Sequence, residues 1–467
     1  MERIGGHAVV IGASMAGLLA ARVLSERFDR VTVVERDHLP ALGEGRRGVP
    51  QGRHIHALLP SGQQVLDQLF PGFTGALIGA GVPSAVAFTE IRFSVSGHRL
   101  APVAVRSDQP ALSVSRPFLE GSVRERLLAI PNVTVLQGCD ALGLVATGDR
   151  VTGVRVLRRA PGSAEESLPA ELVVDASGRS GRTPVWLEAL GYPRPPEQRL
   201  EVDLVYVTRH LHLNPGALEE RIVLIGPRPG HPRGMGLLAL EGGRWMCTLF
   251  GYGGHHPPTE PDAWLAFLDT VAPEDVRSAV HEGEPLGEVA THRFPANLRR
   301  RYDRTARFPE GLLVLGDAIA SFNPIYGQGM SVAALEVLEL RRCLEPGTEG
   351  IARRFFRAAT RIVDQAWDLA VGGDLALPEV AGRRNVSVRL RNAYMRRLLA
   401  AAERDPVVVE HLAPVIALLE PPTTILRPAV VRRVLLGARP RRGGEPARRS
   451  RAGATPDARA GRSRAEG

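Results

Sequence analysis

The sequence predicts an α/β fold: a Rossmann-like domain with a doubly wound sheet, split by an inserted β-sheet domain and followed by C-terminal helices. Three stretches predict it. The opening reads as strand (His7–Ile11), helix (about Met15–Arg27) and strand (Val31–Glu35), and the first strand is mostly apolar, as a parallel strand buried on both faces should be. Between strand and helix lies the turn Gly12-Ala13-Ser14-Met15-Ala16-Gly17. Far along the chain, Leu312–Leu315 returns to a short buried strand that runs into Gly316-Asp317, and a helix follows over Gly329–Cys343.

The segments between complete the architecture. Val86–Leu100 alternates like a sheet with one exposed face, Phe118–Leu128 reads as a helix, and Val133–Leu136, Val151–Leu157 and Leu172–Asp175 read as strands. From about Glu201 to Arg293, strand-like runs separated by turn glycines (Tyr206–Leu211, Arg221–Ile225, Met235–Glu241, Trp245–Gly251) suggest a separate sheet. Beyond Gly350, Phe355, Ala359, Ile362, Ala366 and Leu369 recur at helical spacing, and a basic helix covers roughly Arg383–Glu403. The expected division is a discontinuous nucleotide-binding domain (1–80, 106–198 and 294–345), a sheet domain (81–105 and 199–293), a helical region (346–436) and a disordered Arg-rich tail (437–467).

Composition removes several function classes. With 44% hydrophobic residues in 467, the chain can bury a sizeable core. Every one of its 59 basic residues is arginine, so a P-loop, which needs lysine, and a Schiff-base enzyme, which needs an amine, are excluded. The net charge is +9, but the segment from Gly437 holds nine Arg against Glu445, Asp457 and Glu466, which is +6 of that total. The body is therefore near neutral, and no nucleic-acid partner is expected. Contact of the tail with a membrane surface is weighed below a plain solvated tail. The three cysteines are far apart without a C-x-x-C, so no metal is expected and a reducing cytoplasmic location fits. No run of about 18 apolar residues exists, and no membrane span is expected.

The glycine turn carries the first chemistry. A tight turn at Gly12 and close helix–strand approach at Gly17 would bring the backbone N–H groups of Ser14, Met15 and Ala16 and the positive helix end to a pyrophosphate. Ser14 replaces the middle glycine of the G-x-G-x-x-G pattern. Glu35 ends the second strand where an acid can bond a ribose 2′-hydroxyl, which suits an unphosphorylated adenosine. The distant Gly316-Asp317 then places a carboxylate for a ribityl or ribose hydroxyl. The helix after Asn323-Pro-Ile-Tyr-Gly-Gln-Gly-Met330 would point its amides at a flavin carbonyl.

These residues resemble a family, the class A flavoprotein monooxygenases, and within it the squalene-epoxidase-like enzymes that epoxidise polyene precursors of polyethers. The resemblance runs from about His7 to Asp374 and is carried by Gly48-Val-Pro-Gln-Gly-Arg-His-Ile-His56, Val173-Val-Asp-Ala-Ser-Gly-Arg179, and Gly316 through Met330. It implies that Gly12, Ser14, Gly17, Glu35 and Arg36 hold the adenosine diphosphate of FAD, with Met15 and Ala16 in the same turn. Arg47 and Arg116 should reach the cofactor from neighbouring elements, and Asp317 should hold the ribityl or pyrophosphate region. Pro324, Gly327, Gln328, Gly329 and Met330 should border the isoalloxazine. NADPH or NADH is the implied electron donor, although the Asp175 stretch lacks the full Asp-Gly signature linked with NADPH.

The expected reaction is epoxidation of a carbon–carbon double bond in an apolar polyketide- or terpenoid-like molecule by dioxygen, through a flavin hydroperoxide. Such chemistry needs no protein base. The rival is aromatic hydroxylation, for which His54 or His56 could be the base, and a purely structural role for this pair is equally open. A flavin-dependent alkene reductase or cyclase, and a non-catalytic binding protein on the same fold, stand behind these. A halogenase would require a catalytic lysine and a Trp-x-Trp, and neither is present.

Overall fold

The structure is a computed structural model and describes residues 2–46, 48–85, 90–103 and 110–437. Arg47 and the tail from 438 onward, both subjects of expectations above, lie outside the described residues.

The nucleotide-type domain is built on a parallel sheet of five strands, ordered Leu312–Val314, Leu172–Asp175, Gly5–Ile11, Phe28–Val34, Val133–Leu136. The first strand sits at its centre, with Ala8, Val9 and Val10 fully buried, which is why it reads as a run rather than an alternation. Helix Met15–Leu24 crosses from it to the second strand and shares the core with helices Arg116–Leu128 and Gly329–Cys343. Pairing of Leu312–Val314 with Leu172–Asp175, and of the latter with Gly5–Ile11, brings the two sequence-distant motifs to neighbouring strand ends. In an open parallel sheet that carboxyl edge is where ligands bind.

A second sheet has eight strands, ordered Ala320–Ser321, Glu284–Arg300, Glu197–His212, Trp245–Tyr252, Arg233–Ala239, Ile222–Ile225, Ile91–Val95, His98–Arg99. Strand Glu284–Arg300 runs past residue 293, the limit read from sequence, and pairs through Leu298 and Arg299 with Ala320–Ser321. That pairing joins the two sheets close to Asp317. A three-stranded antiparallel sheet (Cys139–Thr147, Arg150–Arg158, Glu165–Pro169) covers part of the first domain.

Helix Ile351–Asp374 lays Phe355, Phe356, Ala359, Val363, Ala366 and Ala370 on the main core. Helices Val386–Ala402, Pro406–Ile416 and Pro428–Gly437 close a smaller core of their own with Leu100, Ala101 and Val103. No described helix is long and apolar enough to cross a membrane.

The turn at Gly12 sets the start of the first helix. Gly12 has φ +100°, a conformation that side chains disfavour, and a Cβ on Gly17 would stand 1.8 Å from the Gly12 carbonyl oxygen. The obstructing atom is backbone and cannot rotate away. Gly17→Ala is therefore expected to destabilise the protein by about 3 kcal/mol or more, at the upper end of overpacking costs. Chemical denaturation checks this, and a variant within about 0.5 kcal/mol of wild type would contradict the close approach.

Candidate active site

The helix that follows Gly12 begins without a side-chain cap. Ser14 occupies the N-cap position, yet its hydroxyl donates to Glu120 Oε2 at 2.9 Å and accepts from Arg116 at 2.7 Å instead of turning back to the helix. No acidic residue lies in the first turn. The first-turn amides of this helix are thus left for another acceptor, an arrangement suited to a phosphate.

Around this helix end lies a knot of buried charges. Arg46 meets Glu35 at 2.9 Å and Glu120 at 2.9 Å, and donates to the Ala13 carbonyl at 3.0 Å. Arg116 pairs with Glu120 at 2.9 Å, one helical turn away. Glu35 also accepts from the Ala13 and Asp37 N–H groups. Burial disfavours the charge on Glu120, but Arg116 and Arg46 overcome it and hold the carboxyl below its ordinary value. The same burial acts against Arg46, and Glu120 and Glu35 raise its pKa regardless. Asp37 lies a further 3.6 Å from Arg46, so Arg46 and Arg116 are set among three carboxylates before any ligand is counted.

Arg47, expected at the cofactor, lies outside the described residues; its neighbour Arg46, in an irregular loop without periodicity to mark it, has its side chain buried here. Sequence reasoning also missed Glu120, whose signal was its i,i+4 spacing from Arg116. Arg36 is exposed. Met15 and Met330 turn their side chains into the core, so only their backbone could meet a ligand.

The second half of the site faces the first across a cleft. Gly316 stands so close to the first helix that a Cβ on it would lie 2.8 Å from the Ala16 Cβ. Asp317 is exposed to open space while protein surrounds it. The protein atoms around it displace part of its hydration and raise its carboxyl above the ordinary value, and Arg116 and Arg179 oppose the shift. Asn323 caps the turn Pro324–Tyr326 through its side chain, and Gly327 takes φ +63°. Gln328, buried with its Oε1 unpartnered among the described residues, then opens helix Gly329–Cys343, again with no acid in the first turn. The Cβ position of Gly329 is 3.6 Å from Asp317 Oδ1. Two uncapped helix N-termini, a carboxylate in open space and glycines where a cofactor must pass close to backbone form a donor set that fits a flavin dinucleotide.

Residues His54–Ala57 lie between this turn and the eight-stranded sheet. On one side a Cβ on Gly327 would meet Ala57 Cβ at 2.6 Å, and on the other a Cβ on Gly236 would meet Ile55 Cδ1 at 2.4 Å. His54 Nδ1 shares a 2.7 Å hydrogen bond with Thr208, which is bonded to Thr248 at 2.6 Å. His56 Nδ1 bonds the His54 carbonyl at 2.9 Å. Burial, with repulsion from His292 and other neighbouring cations, drops the His54 pKa to about 3, and burial with Arg116 nearby drops that of His56 to about 4. Both rings are neutral at pH 7. The described residues hold no cluster of three or more His, Cys, Asp or Glu fit for a metal.

No family model matches the chain. Rv3254 of Mycobacterium tuberculosis is 37% identical over 417 residues, 86% of this chain and 88% of that protein. Kynurenine 3-monooxygenase of Salinispora tropica is 27% identical over 354 residues, 74% of each. Squalene monooxygenase 1,1 of Brassica napus is 23% identical over 353 residues, 72% of this chain and 62% of the relative. Among solved structures, p-nitrophenol 4-monooxygenase PnpA from Pseudomonas putida superposes with a TM-score of 0.64 at 16% identity, covering 90% of this chain and 100% of that one. The flavin-dependent brominase Bmp2 superposes at 0.62 with 14% identity over 89% and 94%. At these identities the two structures speak to the fold.

Beneath the cleft, Glu336 is fully buried; its Oε2 accepts from the Gly316 N–H at 2.6 Å and its Oε1 has no partner among the described residues. Burial lifts its pKa to about 8 from 4.5, so at neutral pH it holds a proton. A group whose pKa is raised by folding adds stability below its unfolded value and loses it as pH rises through the folded value. The stability of wild type relative to Glu336→Gln is therefore expected to fall between about pH 4.5 and pH 8. Melting curves of the two proteins across that range check this. A constant difference would contradict the buried acid.

Proposed function

The chain belongs to one family with Rv3254 of Mycobacterium tuberculosis, and we propose that it is a class A FAD-dependent monooxygenase that epoxidises a carbon–carbon double bond of an apolar, polyketide- or terpenoid-like substrate, with NADPH or NADH as electron donor. In this reading the amides of Ser14 to Gly17 hold the FAD pyrophosphate, with Arg46 and Arg116 beside them, and Glu35 and Arg36 serve the adenosine side. Asp317 bonds the ribityl region. Pro324 and Gly327 to Met330 border the isoalloxazine. When bound and reduced, FAD supplies the activation of dioxygen.

The observation that carries the choice of reaction is the state of the two histidines. Aromatic hydroxylation is helped by a base that takes a phenolic proton, and the best base has a pKa near the working pH. His54 and His56 sit at about 3 and about 4, with both Nδ1 atoms already engaged. Each unit of mismatch costs about 1.4 kcal/mol, so neither suits that task. An alkene needs no such base. The face of the sheet that carries His54 and Ile55 is apolar and aromatic, with buried Tyr206, Phe250 and Phe294 at one end and buried Ile222, Leu238 and Met246, beside Ile55, at the other. An apolar substrate held against this face would gain about 25 cal/mol for each Å² of apolar area that it buries. The likeness to squalene monooxygenase supports this reading, while the likeness to kynurenine 3-monooxygenase supports its rival.

Labelled dioxygen decides between them. With FAD, a reductant and candidate polyenes, one labelled atom is expected in each new epoxide and the other in water. Label in aromatic rings and never in alkenes would overturn the epoxidase reading, and unlabelled products would favour a reductase or cyclase.

A further inference from the structure

The last residue of the long C-terminal helix, Asp374, is a fully buried carboxylate whose hydrogen-bond donors among the described residues are all neutral. Its Oδ1 accepts from Tyr252 Oη at 3.0 Å, Tyr326 Oη at 3.0 Å and Asn323 Nδ2 at 2.8 Å, and its Oδ2 accepts from Asn297 Nδ2 at 2.7 Å. Asn297 in turn accepts from the Asn323 backbone N–H at 2.6 Å, and Asn323 Oδ1 accepts from the Ile325 N–H at 3.2 Å. Two of these donors, Asn323 and Tyr326, belong to the turn that precedes helix Gly329–Cys343. A third, Asn297, and Tyr252 come from the eight-stranded sheet.

Three features of this arrangement run against local stability. Burying a carboxylate without a cation is costly. A negative charge at a helix C-terminus opposes the helix dipole. The preceding Gly372 and Gly373 are weak helix formers inside the last turn. The second glycine has an evident reason: a Cβ on Gly373 would stand 2.3 Å from Tyr326 Oη, so only glycine lets the phenol lie on the helix and reach Asp374. Local rules broken together at one place, with no gain to the core, mark a functional constraint.

Building on the flavin site proposed above, we propose that Asp374 is a positioning residue, which through Asn323 and Tyr326 fixes the turn at the flavin edge so that the following helix N-terminus meets the reduced ring. Two anchors three residues apart, bonded to one oxygen, leave the turn between them little freedom. Without them the amides at Gly329 and Met330 would lose their aim, and the reduced, more negative flavin would lose more than the oxidised one.

The hydrogen-bond pattern supplies its own rescue. In Asp374→Asn, the new amide would keep Oδ1 for its three donors but face Asn297 donor to donor. In the double variant Asn297→Asp with Asp374→Asn, the amide at 374 donates to the carboxylate at 297, whose second oxygen still accepts the Asn323 N–H. Every bond is then remade. The experiment measures FAD affinity, visible flavin spectrum, midpoint potential and melting temperature in wild type, the single Asp374→Asn and the double variant.

The single variant is expected to alter the spectrum and weaken binding of reduced FAD about tenfold more than oxidised FAD, a midpoint lowered by about 30 mV. The double variant is expected to return both to wild-type values. A single variant that melts lower but keeps the wild-type potential and spectrum would reduce Asp374 to a structural tie and overturn the proposal, as would a double variant that restores neither. A wild-type protein that binds no FAD would overturn the flavin site itself; an Asp374→Asn protein indistinguishable from a yellow wild type would overturn the positioning role alone.

Discussion

Arg46 and Arg116 meet Glu35 and Glu120 beneath the N-terminus of helix Met15–Leu24, four charged side chains with little access to water. Removing one partner of such a group strands the others and typically costs about 3–5 kcal/mol. The four come from the loop after the second strand, that strand's own end, and helix Arg116–Leu128, so the knot ties three separate segments to the glycine turn. Because none of these carboxylates lies in the first turn of the helix, the helix amides remain unspent. Ser14 is drawn into the knot and leaves its usual capping duty, which keeps those amides open. Structure and binding competence are here one arrangement.

The same economy recurs at the second half of the cleft. Glu336 satisfies the Gly316 amide from beneath, and Asp317 is left to project into open space. Asp374 and Asn297 hold the turn at Asn323 from outside the nucleotide-type domain. Each half of the site is therefore shaped by polar groups supplied from other parts of the chain. The close contact of Gly327 with Ala57 and of Gly236 with Ile55 then stacks turn, His54–Ala57 segment and sheet in one layer order. A substrate lying on the sheet would approach the flavin edge past two neutral histidines.

Much of the fold was legible because it depends on short-range pattern. The buried first strand, the Gly12–Gly17 turn and helix Gly329–Cys343 each announce themselves through apolar runs, glycine placement and helical period, and each is found where the sequence placed it. What escaped depends on contacts between distant residues. Asp374 is one more polar residue at a helix end until Tyr326 and Asn323 are seen folded onto it. Asn297 lies in a strand whose alternation gives no hint of a partner. Arg46 had no sign of its own in a loop with no period, and its place shows only through Glu35 and Glu120. Glu120 had a readable mark, its spacing from Arg116, but helix surfaces carry many such pairs, and burial alone separates this one from the rest.

If two stretches far apart in sequence make one site for FAD, the affinities of wild type and Asp317→Ala for FAD and FMN will show it. Asp317 projects into the cleft, so its loss should leave the melting temperature of the apoprotein nearly unchanged, unlike any change in the charged knot. The wild type is expected to bind FAD well above FMN, and the variant to be weakened for FAD by roughly tenfold to hundredfold. Undiminished FAD binding by Asp317→Ala would contradict it, and equal affinity of the wild type for FMN would show that the Gly12–Gly17 half takes no part.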